Sequence, residues 1–393
     1  MIVIQRCRLK PIEKSISRCL YRNISNISTG DKKIENTEDK NNDKKLEKKT
    51  DACSTKKPDF NGWDYFLPDR KGDVQVTIIG GSDASIYAAV LLKQSRLIKQ
   101  IHLVDTKGSL MSAVLDANHI DTSTRIKYFK RRNLKEALKE TNIIALMDET
   151  NLDTKDLNII SQFEAASMYV HEMAEKMVRF NSNSLVAVFA RPVTATLPMV
   201  SEVYKHSGWW DPDRIIGSTA LDRMRMEAIT ANLLDLNPAF LSVPMVGGAD
   251  SNSIVPLLSR ASPINGFPIA QQRMLLQSLR NADKKIANNG SEGPSLSDGV
   301  AAAKLILMLA GGLSGYENIV SSAYVRSNVL PVCRFFTTEL QFGTSGVMKN
   351  FGLPKISSSE ISLVEQAIPL INECIEMAIK AVKSNRHITM KNT

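Results

Sequence analysis

A glycine turn and a carboxylate further along the chain are the first residues whose types and spacing could do chemistry. Gly80 and Gly81 directly follow a run rich in β-branched residues, Val74 to Ile79, and Asp105 follows a second such run that ends at Val104. In a dinucleotide site, such glycines let backbone N–H groups approach a pyrophosphate, and a carboxylate about 20 residues later accepts the ribose hydroxyls of NAD. Two adjacent glycines also occur in ordinary tight turns, and an Asp after a strand is also a common cap, so both interpretations stay open.

An alternation of strands and helices would place this turn at one edge of a sheet. Short apolar runs predict strands at 74–79, 101–104, 142–146 and 185–189, and helical spacing predicts helices at 84–95, 134–140 and 161–180. Strand, helix and strand within about 30 residues, repeated, is typical of a parallel doubly wound sheet. We therefore predict an α/β fold whose first part, residues 74–218, is a doubly wound parallel sheet of the Rossmann type.

The second half of the chain mixes helices and strands and predicts an α+β domain over residues 219–385. A helix is predicted at 221–234, strands near 241–246, 318–325 and 332–338, and a long helix at the end. Apolar residues recur in that last helix at three- and four-residue spacing, which indicates a stripe that packs on the domain. The stripe consists of Ile361, Val364, Ile368, Ile371, Ile375, Ala378 and Val382.

The N-terminal segment differs in composition from the body. Residues 1–30 carry six basic side chains against one acidic side chain, which is typical of a mitochondrial presequence, with a disordered basic tail as the alternative. Residues 31–73 are predicted to be a disordered linker, since 16 of the 28 residues at 31–58 are charged. The remaining body carries only about +2 of the chain's net charge of +9, so nucleic acid is not expected as a partner.

The cysteines of the body indicate no metal framework, and the lengths of the apolar stretches indicate no membrane-spanning helix. The body has only Cys333 and Cys374, which lie far apart without a C-x-x-C pattern, as in a reducing compartment and without a metal site. No uninterrupted apolar stretch approaches the roughly 20 residues of a membrane-spanning helix, so no membrane association is expected.

Seven sequence motifs, in a fixed order, resemble those of a known family. From about residue 74 to residue 384 the chain resembles malate dehydrogenase of the mitochondrial type, within the lactate/malate dehydrogenase superfamily. The resemblance implies an NAD-binding Rossmann domain, a lactate/malate dehydrogenase C-terminal domain, NAD-dependent interconversion of malate and oxaloacetate in the citric acid cycle, a dimer and the mitochondrial matrix. The motifs lie at Leu103–Asp105, Leu115–Ile120, Ala190–Thr194, Gly217–Arg225, Val243–Gly248, Lys349–Ser357 and Gln366–Pro369.

The resemblance implies that the catalytic base is missing. The family reaction moves a hydride to or from a nicotinamide while a His, oriented by an Asp, exchanges a proton with the substrate hydroxyl. Asp222 matches that Asp, but Ala249 stands after Gly247 and Gly248, where the family has the His. Asp250 is next in sequence, but a one-residue shift redirects its side chain, and a carboxyl with a pKa of ~4 is a poor acid at neutral pH. The histidines of the chain lie elsewhere, at His102, His119, His171, His206 and His387.

The resemblance also implies that substrate binding is impaired. Three arginines hold the dicarboxylate in the family, because a guanidinium can bind a carboxylate through two charge-assisted hydrogen bonds. Two of their positions carry Leu152 and Asn158, while Arg225 is retained one helical turn after Asp222. Arg191 replaces the substrate-binding Asn of the family, and it either holds a carboxylate or is a surface arginine beside a loop.

The cofactor turn departs from the family pattern as well. Asp83 and Ser85 stand near the second and third glycines of the G-x-x-G-x-x-G turn. An ionised Asp83 at the helix start is expected to satisfy the local N–H groups itself and to repel a diphosphate, which weakens NAD binding. Asp298 stands where the family has an apolar Met against the nicotinamide.

Two functions follow from these departures. The first is a non-catalytic family member in the mitochondrial matrix that acts as a structural subunit, as a homodimer or as a heterodimer with an active malate dehydrogenase. The alternative is an active or altered-specificity NAD-dependent malate or 2-hydroxy acid dehydrogenase that uses Asp222, Arg225 and Arg191 with an unconventional base.

Overall fold

The computed structural model describes residues 73–151, 158–289 and 293–391, with side chains described to residue 384. The predicted presequence, the linker up to residue 72, and the Leu152 position lie outside the described residues. The described residues all belong to one compact unit, Lys56–Thr393.

The first half of this unit forms a parallel doubly wound sheet, as the sequence predicts. Its six strands lie side by side in the order β3-β2-β1-β4-β5-β6, and all their pairings are parallel. The strands are β1 (Val74–Ile79), β2 (Ile98–Asp105), β3 (Arg125–Lys130), β4 (Ile143–Leu146), β5 (Leu185–Val188) and β6 (Ile215–Ser218). The helices between them are α1 (Asp83–Lys93), α2 (Met111–Ala117), α3 (Leu134–Ala137), α4 (Ile159–Phe180) and α5 (Val193–His206).

The second half extends the same sheet with antiparallel strands. The strand β9 (Ile319–Arg326) pairs with β6, and β10 (Phe335–Gly343) pairs with β9, with β11 (Gly346–Asn350) and with β7 (Met245–Gly247), which pairs with β8 (Ile254–Pro256). The helices are α6 (Ala220–Leu234), α7 (Ile269–Arg280), α8 (Ala282–Asn288), α9 (Ser295–Leu313) and α10 (Ser358–Lys391). The α/β fold class with a mixed second half is therefore confirmed, while the domain boundary at residue 218 stays a prediction.

The core lies on both faces of the sheet. Adjacent residues of β1 point to opposite faces, so Ile78 and Ile79 belong to two different buried clusters. Helices α4, α5 and α10 contribute to the cluster around Ile79, and α1 and α9 contribute to the cluster around Ile78. Parallel strands covered on both faces have continuous apolar runs, which explains why the sequence predicted the central strands well.

Two helices of the second half show where the periodicity argument holds and where it fails. Most of the predicted stripe of α10 is buried, but Ile361 is 46% exposed. Helix α9 was not predicted, because it is apolar around most of its circumference and has no polar face to reveal its period. Within the described residues it is the one helix long and apolar enough to cross a membrane, and 67% of its most apolar window is buried in the fold.

Candidate functional site

A cavity of about 410 Å³ brings together four of the residues that the sequence singled out, Arg191, Asp222, Arg225 and Ala249. Arg191 follows the carboxyl end of β5, Asp222 and Arg225 lie in the first turns of α6, and Ala249 follows β7. Carboxyl ends of strands and the first turns of helices meet here, which is where open α/β sheets bind ligands. The cavity is also lined by the carboxylates Asp250, Asp283 and Asp298.

The carboxylate of Asp222 has no hydrogen-bond partner among the described residues. The residue is 7% exposed, and Nη1 of Arg225 lies 3.6 Å from its Oδ1. Burial raises the pKa of Asp222 to about 7, an effect that Arg225 opposes and that Asp283 and Asp250 reinforce. The methyl group of Ala249 lines the same cavity and offers no hydrogen bond to this carboxylate.

No histidine supplies a ring to this cavity from the part of the chain whose side chains are described. His102 is buried beside β1 and α3, where its Nδ1 lies 2.6 Å from the carbonyl oxygen of Ala137. His119, His171 and His206 are not among the lining residues, and His387 lies in the part of α10 without described side chains.

Asp250 has a structural role. Its Oδ1 accepts a hydrogen bond from the backbone N–H of Val193 at 3.2 Å, and its Oδ2 accepts one from the N–H of Thr194 at 3.0 Å. These N–H groups begin α5, whose N-cap residue, Pro192, has no side-chain acceptor. Asp250 therefore caps α5 from a distant loop, which leaves its oxygens poorly placed to act as a base.

Arg191 is a largely enclosed member of an ion cluster, with a side chain that is 15% exposed, so the surface-arginine alternative is wrong. Its Nη2 and Nε donate to Oδ2 of Asp148 at 3.0 and 3.1 Å, and its Nη2 lies 3.4 Å from Oδ2 of Asp298. Burial raises the pKa of Asp298 to about 6, although Arg191 lowers it. A second cavity of about 260 Å³, beside α4, is also lined by Arg191 and Asp148.

Arg225 is likewise paired within the chain. Its Nη2 donates to Oδ1 of Asp283 in α8 at 2.6 Å, and its other amino nitrogen faces Asp222. Both guanidinium groups of the cavity thus already face carboxylates, and of their nitrogens only Nη1 of Arg191 is buried without a hydrogen-bond partner among the described residues. A dicarboxylate substrate would have to compete with these carboxylates for them.

Asn158 is placed away from the cavity lining. It is the N-cap of α4, and its Oδ1 accepts a hydrogen bond from the N–H of Ile160 at 2.9 Å. The cavity is reached instead by Ile159 and Gln162 of the same helix. An Asn at an N-cap is a common structural choice, since its side chain satisfies an N–H group at the helix start.

The glycine turn packs tightly against the loop that follows β4. A Cβ on Gly80 would lie 2.8 Å from Cβ of Met147 and 2.9 Å from the carbonyl oxygen of Asp148. A Cβ on Gly81 would lie 2.6 Å from the carbonyl oxygen of Glu149. Both positions therefore need glycine for the packing of the chain itself, whatever binds beyond them.

The expectation for Asp83 is wrong in its detail. Asp83 is the first residue of α1, after the N-cap Ser82, and its carboxylate is not a cap. Instead, Oδ1 of Asn151 accepts the N–H of Asp83 at 2.8 Å, and Nδ2 of Asn151 donates to Oδ2 of Asp83 at 2.9 Å. The side chain of an N-cap residue reaches the N–H groups of the first turn, whereas a first helical residue is not placed to do so.

The carboxylate of Asp105 is satisfied by its own loop and is only 2% exposed. Its Oδ1 accepts from the N–H groups of Lys107 at 2.9 Å and Gly108 at 2.8 Å. Its Oδ2 accepts from the N–H of Leu110 at 2.7 Å and from the hydroxyl of Tyr128 at 3.3 Å. These hydrogen bonds are those of a cap after a strand, the second interpretation of Asp105 from the sequence, with the carboxylate buried.

The hydrogen-bond partners of Arg191, Arg225 and Asp83 were not identified from the sequence. They are, respectively, Asp148, Asp283 and Asn151. Asp148 and Asn151 follow the carboxyl end of β4, and that position beside the glycine turn is a signal that could have found them. Asp283 gives no such signal, because its contact with Arg225 spans 58 residues and depends on how α8 packs against α6.

Known proteins resemble the chain both in sequence and in fold. Residues 219–382 match a family model described as lactate/malate dehydrogenase, alpha/beta C-terminal domain. The mitochondrial malate dehydrogenases of Bos taurus and Homo sapiens are each 28% identical to the chain over 327 residues, covering 81% of this chain and 95% of each relative.

Solved malate dehydrogenase structures share the fold. The enzyme from Cryptosporidium parvum superposes with a TM-score of 0.66 at 18% identity and covers 78% of this chain and 99% of its own. The enzyme from Picrophilus torridus, in its apo form, gives a TM-score of 0.67 at 16% identity and covers 79% of this chain and 99% of its own.

Proposed function

The chain belongs to the malate dehydrogenase family, within the lactate/malate dehydrogenase superfamily, and on that basis we propose that it is a non-catalytic member. One observation carries the proposal: Ala249 lines the same cavity as the Asp222 carboxylate, which accepts no hydrogen bond from the described residues. Proton exchange at the substrate hydroxyl needs a titratable group at this place. An alanine cannot supply it.

The charges of the cavity support the same proposal. A 2-oxo dicarboxylate needs guanidinium groups that are free to bind both of its ends. Arg191 and Arg225 are each held by carboxylates of the chain, and the Asn158 position carries no cation. Binding energy for the family substrate is therefore reduced at the same site that has lost its base.

We propose that NAD, the cofactor implied by the family, binds weakly. The residues expected to hold it do not fit the usual arrangement, because the oxygens of Asp105 already accept four hydrogen bonds from its own loop and from Tyr128. The start of α1 is occupied by Asn151 and flanked by the negative charge of Asp83. A pyrophosphate would meet a carboxylate and fewer free N–H groups there.

The proposed setting is the mitochondrial matrix, and the proposed role is that of a structural subunit in a homodimer or in a heterodimer with an active malate dehydrogenase. The presequence-like composition of residues 1–30 and the mitochondrial names of the relatives support the location. Co-purification with an active malate dehydrogenase would support the heterodimer. Strictly monomeric elution of the purified chain would contradict both assemblies.

A dehydrogenase with an unconventional base is the second candidate, and the pKa of Asp222 favours it. A pKa of about 7 is in the range that general acid–base catalysis uses at neutral pH. The paired state of Arg191 and Arg225 counts against this candidate, because a base alone does not hold the substrate.

The deciding experiment measures NADH oxidation by the purified full-length chain with oxaloacetate, beside a mitochondrial malate dehydrogenase as positive control. We expect no turnover above background from the wild type. The Ala249→His variant restores the imidazole but not the lost arginines, so it should remain at least about 10²-fold below the control. Wild-type turnover at an ordinary rate of about 1–10³ s⁻¹ would overturn the proposal.

A further inference from the structure

The interior of the 410 Å³ cavity has an excess of negative groups. Five carboxylates line it or contact its arginines, against two guanidinium groups, those of Arg191 and Arg225. The carboxylates are Asp148, Asp222, Asp250, Asp283 and Asp298. A site for a dianion needs the opposite balance, so this interior has the same sign as the dicarboxylate substrate of the family and would repel it.

Asp222 and Asp298 each have a buried carboxylate oxygen without a hydrogen bond from the described residues. Oδ2 of Asp298 lies 3.4 Å from Nη2 of Arg191, and Asp222 is the candidate for a ligand contact. Asp250 accepts two backbone N–H groups, Asp148 accepts three hydrogen bonds from Arg191, and Asp283 accepts one from Arg225. Asp222 accepts none from the described residues, although it is 93% buried and lines the cavity beside Ala249. A buried carboxylate without donors is costly, and a ligand that brings an N–H donor removes that cost.

The rim of the cavity has the opposite charge. Arg280, at the end of α7, and Lys284, in α8, both line the cavity and are exposed. Neither forms an ion pair within the part of the chain that the structure describes. The exposed part of the cavity lining therefore includes two cations, whereas its less exposed part is rich in carboxylates.

We propose that this cavity binds a small zwitterion of the α-amino-acid class, with its ammonium group at Asp222 beside Ala249 and its carboxylate toward Arg280 and Lys284. The ammonium supplies the donors that Asp222 lacks, and the rim supplies countercharge for the carboxylate. The inference rests on the proposed function, because it assigns a ligand to the cavity in which the dehydrogenase chemistry has been lost.

The binding should depend on pH in a defined direction. Asp222 must be ionised to attract an ammonium group, and its pKa of about 7 is set by burial together with Arg225, Asp283, Asp250 and Arg191 around it. Affinity should therefore fall about tenfold as the pH is lowered from 8 to 6, since the ionised fraction falls by about that factor. An exposed carboxylate with an ordinary pKa would give almost no change over this range.

The test compares L-aspartate with L-malate by calorimetry on the full-length chain. The two probes differ chiefly in an ammonium group in place of a hydroxyl, so the ratio of their affinities isolates the contact with Asp222. We expect L-aspartate to bind at least about tenfold more tightly, in line with a charge-assisted hydrogen bond to a buried carboxylate. Equal affinities, tighter binding of L-malate, or no measurable binding of L-aspartate would overturn the inference.

Variants locate the contact. Asp222→Asn should remove the preference for L-aspartate and its pH dependence, whereas Asp116→Asn, an exposed carboxylate on α2, should leave both unchanged. Arg280→Ala and Lys284→Ala alter exposed side chains and do not disturb the core. Each should lower the affinity for L-aspartate several-fold. An unchanged affinity in all three cavity variants would place the ligand elsewhere and overturn the inference.

The two proposals fail in different experiments. Turnover of malate by the wild type would remove the proposed function, whatever the affinity for L-aspartate. If the chain shows no turnover and does not prefer L-aspartate to L-malate, the inference is overturned while the proposed function stands.

Discussion

The crevice at the glycine turn, beside Asp83 and Asp105, and the 410 Å³ cavity around Asp222 hold their polar groups in different ways. In the crevice, Asp105 accepts four hydrogen bonds within the chain, and Asp83 and Asn151 bond to each other. In the cavity, Asp222 accepts none from the described residues, and two rim cations form no described ion pair. The polar groups of the first region are thus bonded within the chain, whereas at least one buried carboxylate of the second is not hydrogen-bonded to the described residues. A new ligand is therefore to be sought in the cavity.

The largest expected effect comes from the ion cluster that borders both regions. Arg191→Ala leaves the buried Asp298 and the partly buried Asp148 without their countercharge, which should lower the free energy of unfolding by about 3–5 kcal/mol at pH 8. The measurement is urea denaturation. Arg273→Ala, an exposed arginine of α7, is the control and should change stability by less than about 0.5 kcal/mol. A loss below about 1 kcal/mol for Arg191→Ala would show that the cluster does not depend on this guanidinium.

The next effect is a pH dependence of stability that arises in the cavity. Burial raises the pKa of Asp222 to about 7 in the folded state, so the folded chain binds its proton more tightly than the unfolded chain does. The bound proton of Asp222 therefore stabilises the folded state fully below the unfolded pKa of about 4, and this contribution is lost as the pH rises to about 7.

Asp222→Asn lacks this proton equilibrium. Between about pH 5 and pH 8, the variant should gain roughly 3 kcal/mol of stability relative to the wild type, as measured by denaturation at each pH. A difference between the two proteins that is constant over this range would contradict the raised pKa.

The smallest effect tests the crevice. In Asp105→Asn, an amide NH₂ replaces one acceptor oxygen and faces backbone N–H donors, which should cost about 2 kcal/mol of unfolding free energy. The affinity for NADH, followed by its fluorescence, should not change. A variant with unchanged stability but weaker NADH binding would return Asp105 to a cofactor role and remove the contrast between the two regions.

The central strands could be predicted because their apolar runs are a local signal. Several site positions could be predicted because they lie in motifs that resemble those of a known family. The strand β1 begins and ends where the sequence predicts, since a strand buried on both faces has a continuous apolar run. Strand β3 was missed because it is an edge strand with mostly charged and half-buried residues, among which only Ile126 is buried. The residues Asp222, Arg225, Arg191 and Ala249 meet at one cavity as the family motifs implied.

The pairing of charges could not be predicted from the sequence. Whether Arg191 is exposed or buried depends on Asp148 and Asp298, which lie 43 positions before it and 107 positions after it. The pKa of Asp222 depends on burial and on groups from α8 and the loop after β7, which no spacing rule brings together. Tertiary contacts decide these properties, and a single sequence does not encode them as a local pattern.

The packing of α9 against α1 has a consequence for how this chain is made. The apolar side chains of α9, from Ala302 to Ala310, share a buried cluster with Val76, Ile78 and Leu103 of the first two strands. During synthesis, Ala302 is added 199 residues after Leu103, so the part of this face that α9 covers stays exposed until then, although α1 can pack on the rest earlier. Folding of this unit is therefore completed only after nearly the whole polypeptide has emerged. A fragment that stops before α9 would expose apolar surface to chaperones and proteases.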